Sequence, residues 1–144
     1  MLFRSSLTTI HCNAPRDALS RLETMVLMSG YDLPLRAIRQ QVASAIDLIV
    51  HLDRFGDGTR RVVNITEVQG MEGEIITLQD VYRYEFLDGG RESARSSGRL
   101  RPTGLRPKLV DKLHEAGIDL PPKLFRDGRA GVSLVEAARN GRRG

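Results

Sequence analysis

The chain has 144 residues, 40% of them hydrophobic and 28% charged, with a formal net charge of +4, which fits about one soluble globular domain. It has no apolar run near the ~18–20 residues of a membrane span, and Met1-Leu2-Phe3-Arg4 leads into polar Ser5-Ser6 rather than a signal-peptide core. Cys12 is the single cysteine, which excludes an internal disulfide or a multi-cysteine metal site and makes the cytoplasm the default compartment.

The charge does not point to nucleic acid. Arg126, Arg129, Arg139, Arg142 and Arg143 face only Asp127 and Glu136 in residues 126–144, so the body is near neutral and the basic end reads as a solvated, disordered tail.

Ser6 to Asn13 reads as a short strand with a polar end that feeds directly into a helix. Strand ends and the helix starts that follow them are where α/β sheets bind ligands. Alternation puts Leu7, Thr9 and His11 on one face and Thr8, Ile10 and Cys12 on the other. The helix is expected over about Pro15 to Ser29, with Ala18, Leu19, Leu22, Met25 and Val26 on its apolar face. Pro15 suits the first turn, Asp17 the helix N-terminus and Gly30 the stop. A second helix follows Pro34, with Leu35, Ile38, Val42, Ala45 and Ile46 inward.

The period then changes. Leu48 to Leu52 reads as a strand, Gly56-Asp57-Gly58 as a turn, and Arg61 to Val68 as the returning strand. Gly70 and Gly73 bracket another turn, and Glu74 to Phe86 gives a third strand region. The expected fold is an α/β domain whose sheet has an antiparallel edge. Residues 88–98 read as a polar linker with nothing to pack. Arg106 to Ala116 reads as a short amphipathic helix ended by Gly117, docking back through Leu109, Leu113 and Phe125.

Thr9 and His11 would present a hydroxyl and an imidazole together at the mouth of the sheet, a pairing suited to a phosphate or its attacking water. A partly exposed polar strand end is the plainer reading. Arg21 either pairs with Asp17 one turn away or reaches toward an anionic ligand or a neighbouring element. His51 and His114 have no metal-site spacing with His11. Glu67, Glu72 and Glu74 read as a solvated loop, and Cys12 as a small buried residue. There is no Gly-x-x-x-x-Gly-Lys-Ser/Thr, so the loop that cradles nucleotide phosphates is missing from this sequence.

Several blocks together carry a resemblance. They are Ser6-Leu7-Thr8-Thr9-Ile10-His11, Pro15 to Met28, Ile38 to Val50, Asp57-Gly58-Thr59-Arg60-Arg61-Val62, Ile65-Thr66-Glu67-Val68, Gly70-Met71-Glu72-Gly73, Leu78-Gln79-Asp80, Pro102 to Pro107, and Gly117-Ile118 with Leu120-Pro121. Over roughly residues 6–125 they resemble the ATPases of the type II/type IV secretion superfamily, within it the Flp (tight-adherence) pilus branch.

The resemblance implies part of a RecA-like P-loop ATPase domain with a small C-terminal helical appendage, working as a homo-hexamer of full-length subunits on an inner-membrane pilus assembly platform. It implies a cytoplasmic location peripheral to that membrane, and ATP and Mg²⁺ as cofactors of the complete family member but none for this chain alone. Catalytic roles pass to His11, near the nucleotide's terminal phosphate, to Thr9 as the box threonine, and to Arg21 in the helix after it. The family's phosphate loop, acidic box and metal-associated glutamate lie upstream of the histidine box and have no counterpart here. Cys12 and Ala14 stand where alanine and serine are usual, and Ala14 removes an N-cap worth ~0.5–2 kcal/mol. The expected organisation is a C-terminal remnant of the motor domain over 1–87, a linker over 88–98, a helical appendage over 99–125 and the basic tail over 126–144. Its expected function is that of an inactive fragment of a Flp-type or type II motor. The alternative is a non-catalytic interaction module that associates with the full-length hexamer.

Overall fold

The structure is a computed structural model and describes residues 6–88 and 97–126. Helix α1 spans Pro15–Met28 and helix α2 spans Leu35–Ala45. Pro15 occupies the first turn of α1, and Ala14, in extended conformation, caps it without a side-chain hydrogen bond. Strands β1 (Leu48–Arg54), β2 (Arg60–Glu72), β3 (Ile75–Asp88) and β4 (Ser97–Pro102) follow, then helix α3 (Leu109–Glu115) and a 3₁₀ turn over Pro122–Leu124.

The four strands form one antiparallel sheet in the order β1-β2-β3-β4. This corrects the RecA-like α/β expectation, which requires a parallel sheet. The reason lies in the connections. Parallel neighbours need a crossover of about a dozen residues or more, whereas short turns join antiparallel ones. The β1–β2 turn closes with Phe55 N–H donating to Thr59 O and Gly58 N–H to Phe55 O, both 2.8 Å. Between β2 and β3 only Gly73 and Glu74 intervene, and Gly73 takes the positive φ (62°) that a two-residue hairpin asks of its first residue.

The opening strand is the second correction. Residues 6–12 have no regular secondary structure, and Leu7, Thr9 and His11 are all exposed. Alternation alone does not make a strand, because its backbone groups need a neighbour to bond with, and the sheet here is built wholly from later residues. Thr9 and His11 therefore do not stand at the mouth of a sheet.

Bulges decide which side chains share a face. Ile49↔Thr66↔Asp80 and Val68↔Leu78 point to one side, and an extra residue at Gln69 brings Met71↔Ile76 to that side as well. There α1 and α2 pack, with Leu19, Ile38 and Val42 buried against Val68 and Ile76. Each such aliphatic side chain contributes about 1.5–3 kcal/mol on burial. Arg39 of α2 fastens this layer, its Nε 3.1 Å from Glu23 Oε1 on α1 and its Nη1 donating at 3.0 Å to Glu74 O in the hairpin.

The opposite face carries the C-terminal elements. Leu48↔Glu67 and Ile65↔Tyr82 point there, and Val110, Leu124 and Phe125 pack on Val81 and Tyr82 with Ile65 beside them. Phe125 is buried as expected, but Val110 rather than Leu109 or Leu113 is the helix residue in this core. A third cluster joins Phe55, Val63 and Tyr84, with Phe86 and Leu100 against it.

Of the expected linker over 88–98, Asp88 ends β3 and residues 97 and 98 belong to β4, the fourth strand of the sheet; residues 89–96 lie outside the described residues. Gly98 is required there. A Cβ at this position would lie 2.3 Å from Glu85 O and 2.5 Å from Tyr84 Cε1. Gly98→Ala is therefore expected to lower stability by about 1–3 kcal/mol, as overpacking does, measurable as a lower urea midpoint.

Candidate functional site

The residues expected to carry chemistry come together only in part. Arg21, on the exposed side of α1, turns back and donates from Nη1 to the backbone carbonyl of His11 at 2.8 Å. Of the two partners weighed from sequence, it takes the neighbouring element. The bond tethers the irregular segment to the helix and occupies one arm of the guanidinium, while the side chains of Thr9 and His11 remain exposed. Among the described residues, the bond from Arg21 to the His11 carbonyl is the contact that joins two of these three residues. Cys12 is free and half-buried. Among the described residues no group of three or more His, Cys, Asp or Glu is placed to hold a metal ion.

The polar chemistry that the fold does assemble lies elsewhere. On the α1/α2 face, the Asp80 carboxylate accepts from Thr66 Oγ1 at 2.7 Å, Asn64 Nδ2 at 3.2 Å and Arg83 Nη2 at 2.7 Å. The Asp80 backbone carbonyl takes the Thr103 hydroxyl at 2.7 Å. These donors hold the carboxylate in one orientation. It ties β2 and β3 to the chain leaving β4. Beside it His51, paired with Asn64 across β1 and β2, is buried with Nδ1 lacking a hydrogen-bond partner. Asn64 and Thr66 two apart on one strand were the sequence signal for this cluster.

Glu67 is the clearest departure from the expected solvated loop, being 3% exposed. Its Oε1 accepts the backbone N–H of Leu109 at 2.7 Å and its Oε2 accepts from Gln69 Nε2 at 3.0 Å. A carboxylate at the first residue of α3 satisfies a donor that the helix cannot satisfy internally. Tyr82 adds a second clamp. Its hydroxyl donates to the carbonyl of Leu124, and burial raises its pKa above the ordinary value of 10.0.

Two exposed carboxylate pairs complete the electrostatics. Asp57 is held below its usual pKa by the Thr59 hydroxyl at 2.6 Å, the Thr59 N–H and the Arg61 guanidinium. His114, in the last turn of α3, is raised above 6.5 by Asp119, whose Oδ1 lies 2.5 Å from Nδ1. A raised folded pKa stabilises the protonated, folded state below about pH 6.5 and that contribution fades as pH rises through the raised value. An NMR titration of His114 is expected to show a midpoint above 6.5 that falls toward it in Asp119→Asn.

A long run of apolar side chains faces water at the far end of α1. Met25, Leu27, Met28, Tyr31, Leu33 and Leu35 are all exposed, Met28 to 82%. Single exposed apolar residues are ordinary; here six fall within residues 25–35. Among the described residues no helix is long and apolar enough to cross a membrane.

Comparison with known proteins gives a partial match. Over 67 residues the chain is 30% identical to proteins of Mycobacterium tuberculosis, strains CDC 1551 / Oshkosh and H37Rv, each described as "Putative conjugal transfer protein". The match covers 46% of this chain and only 18% of each relative. No family model matches the chain.

Proposed function

We propose that this chain is a non-catalytic module of a transfer or secretion machine, which associates with a larger motor subunit and does not hydrolyse ATP alone. The observation that carries the reading is the 30% identity to conjugal transfer proteins over a segment that is 18% of their length. The finer assignment, to the motor of Flp-type pilus assembly, rests on the resemblance of Ser6 to His11, of Pro15 to Met28 and of the later blocks. In that reading ATP and Mg²⁺ belong to the larger subunit, which supplies the phosphate loop, and Thr9, His11 and Arg21 reach a nucleotide only within the assembly.

Two features support association over independent catalysis. Phosphoryl transfer depends on backbone and lysine contacts to the phosphates and on a held Mg²⁺, and this sequence has no Gly-x-x-x-x-Gly-Lys-Ser/Thr to provide them. The apolar surface from Met25 to Leu35 offers a place for the partner to bury. The purified chain is expected to show no ATP turnover in a phosphate-release assay. Turnover that His11→Ala abolishes would overturn the reading.

A further inference from the structure

β1 is the outer strand of the described sheet, and its backbone is turned outward at three apolar residues. Val68 N–H donates to Asp47 O at 3.0 Å, and Phe55 N–H donates to Thr59 O at 2.8 Å. Alternate residues of a strand direct both backbone groups to the same neighbour. The odd-numbered positions therefore face β2, while Leu48, Val50 and Leu52 direct theirs away from it. The side chains of these three are exposed as well, to 38%, 51% and 56%. Sheet edges are ordinarily blunted by Pro, Lys or a bulge. β1 has neither Pro nor Lys, and the unmatched Val63 of its bulge lies on β2, which leaves β1 itself regular.

A second segment shares this want of a neighbour. Ser6–Cys12 alternates Leu7, Thr9 and His11 with Thr8, Ile10 and Cys12. Among the described residues its backbone takes part in one hydrogen bond, from Arg21 Nη1 to His11 O. In a strand that bond turns the odd-numbered positions of the segment toward α1, which leaves the backbone groups of Thr8, Ile10 and Cys12 on the other side. The segment is seven residues long, as is β1, and within its own chain it does not pair with β1.

We propose that Ser6–Cys12 of one copy adds to the β1 edge of a second copy as a further antiparallel strand. With Ile10 set opposite Val50, Thr8 meets Leu52 and Cys12 meets Leu48, and each of these facing pairs exchanges two main-chain hydrogen bonds. Facing residues share a side of the sheet, so Thr8, Ile10 and Cys12 cover the apolar row. On the other side Leu7, Thr9 and His11 meet Asp53, His51 and Ile49, with no like charges opposed. A single strand also suits the size of the edge. Three side chains are far fewer than the about 20–30 residues a side that two folded surfaces use in a stable interface. Strand addition instead draws its affinity from main-chain hydrogen bonds.

Cys12 is the single cysteine, so Leu48→Cys places the only other thiol opposite it across the proposed pair, at a Cα separation that a disulfide spans. Mild oxidation of a mixture of unlabelled and isotope-labelled Leu48→Cys chains is expected to join Cys12 of one label to the introduced thiol of the other. Linkage confined to single molecules would overturn the proposal. So would linkage only between two introduced thiols, which would mean that β1 pairs with itself, and so would no linkage. Hydrogen exchange reads the same pairing in the unmodified chain. The amides of Leu48, Val50 and Leu52 are expected to exchange about tenfold more slowly once about nine copies in ten are paired. Ile10→Pro, which removes the central donor of the added strand, should return them to the dilute rate. Exchange that does not change with concentration would overturn the proposal without any variant.

Discussion

Phe55→Ala is expected to be the most damaging single change, costing about 3–5 kcal/mol as large-to-small substitution of a buried aromatic does. Phe55 is 3% exposed and touches aromatic rings on two sides, with Tyr84 edge-on at a centroid distance of 5.1 Å and Phe86 at 5.4 Å. The Arg61 guanidinium lies 4.9 Å from its ring centre, and Arg61 also donates to the Tyr84 hydroxyl at 2.8 Å. Removing the ring thus opens a cavity and frees a cation from a face that attracts it. The backbone bonds by which Phe55 closes the β1–β2 turn remain in alanine, so the loss comes from the side chain. Chemical denaturation measures the loss. Phe55→Leu is expected to recover most of it, since it refills volume without the aromatic contacts.

Glu67→Ala is expected to cost about 3 kcal/mol and to do so locally. Hydrogen bonds to a charged group are worth about 1.5–3 kcal/mol each, and Glu67 accepts two, from Leu109 N–H and from the Gln69 amide. The freed N–H sits at the start of a helix that spans only Leu109–Glu115 and cannot stand on its own propensity. Hydrogen exchange should therefore accelerate first over α3 and the Pro122–Leu124 turn, ahead of β2 and β3. Uniform acceleration across the sheet would mean that Glu67 supports the core rather than the appendage.

Much of the backbone was legible because its signals are local. Pro15, the spacing of Ala18, Leu19 and Leu22, and the Pro34 boundary place α1 and α2 almost to the residue, and the Gly-rich turns delimit three of the strands. What escaped depends on partners distant in sequence. β4 is written as Ser97-Gly98-Arg99-Leu100-Arg101-Pro102 and has little strand character alone. It is a strand because Gly98 slips under Tyr84 and Arg101 meets Glu85 at 2.8 Å across the pair. Ser6 to Cys12 shows the reverse, a strand pattern for which the described sheet has no neighbour. Glu67 read as a solvated acid because its use, receiving a helix that begins at Leu109, cannot be seen from the residues around it.

The same division holds for function. The bond from Arg21 to His11 O joins two of the three expected site residues, yet through a backbone carbonyl rather than around a ligand. The half-buried Asp80 and the buried Glu67 serve the fold's own architecture. The proposed association rests instead on the exposed apolar residues from Met25 to Leu35.

Mixing the full chain with a full-length transfer-motor subunit that carries its own phosphate loop, followed by native mass spectrometry, tests the central claim most directly. A complex is expected, and Met28→Glu should weaken it roughly tenfold, the effect of about 1.4 kcal/mol lost at one buried contact. A chain that stays separate from such a subunit, while hydrolysing ATP without it, would contradict the account.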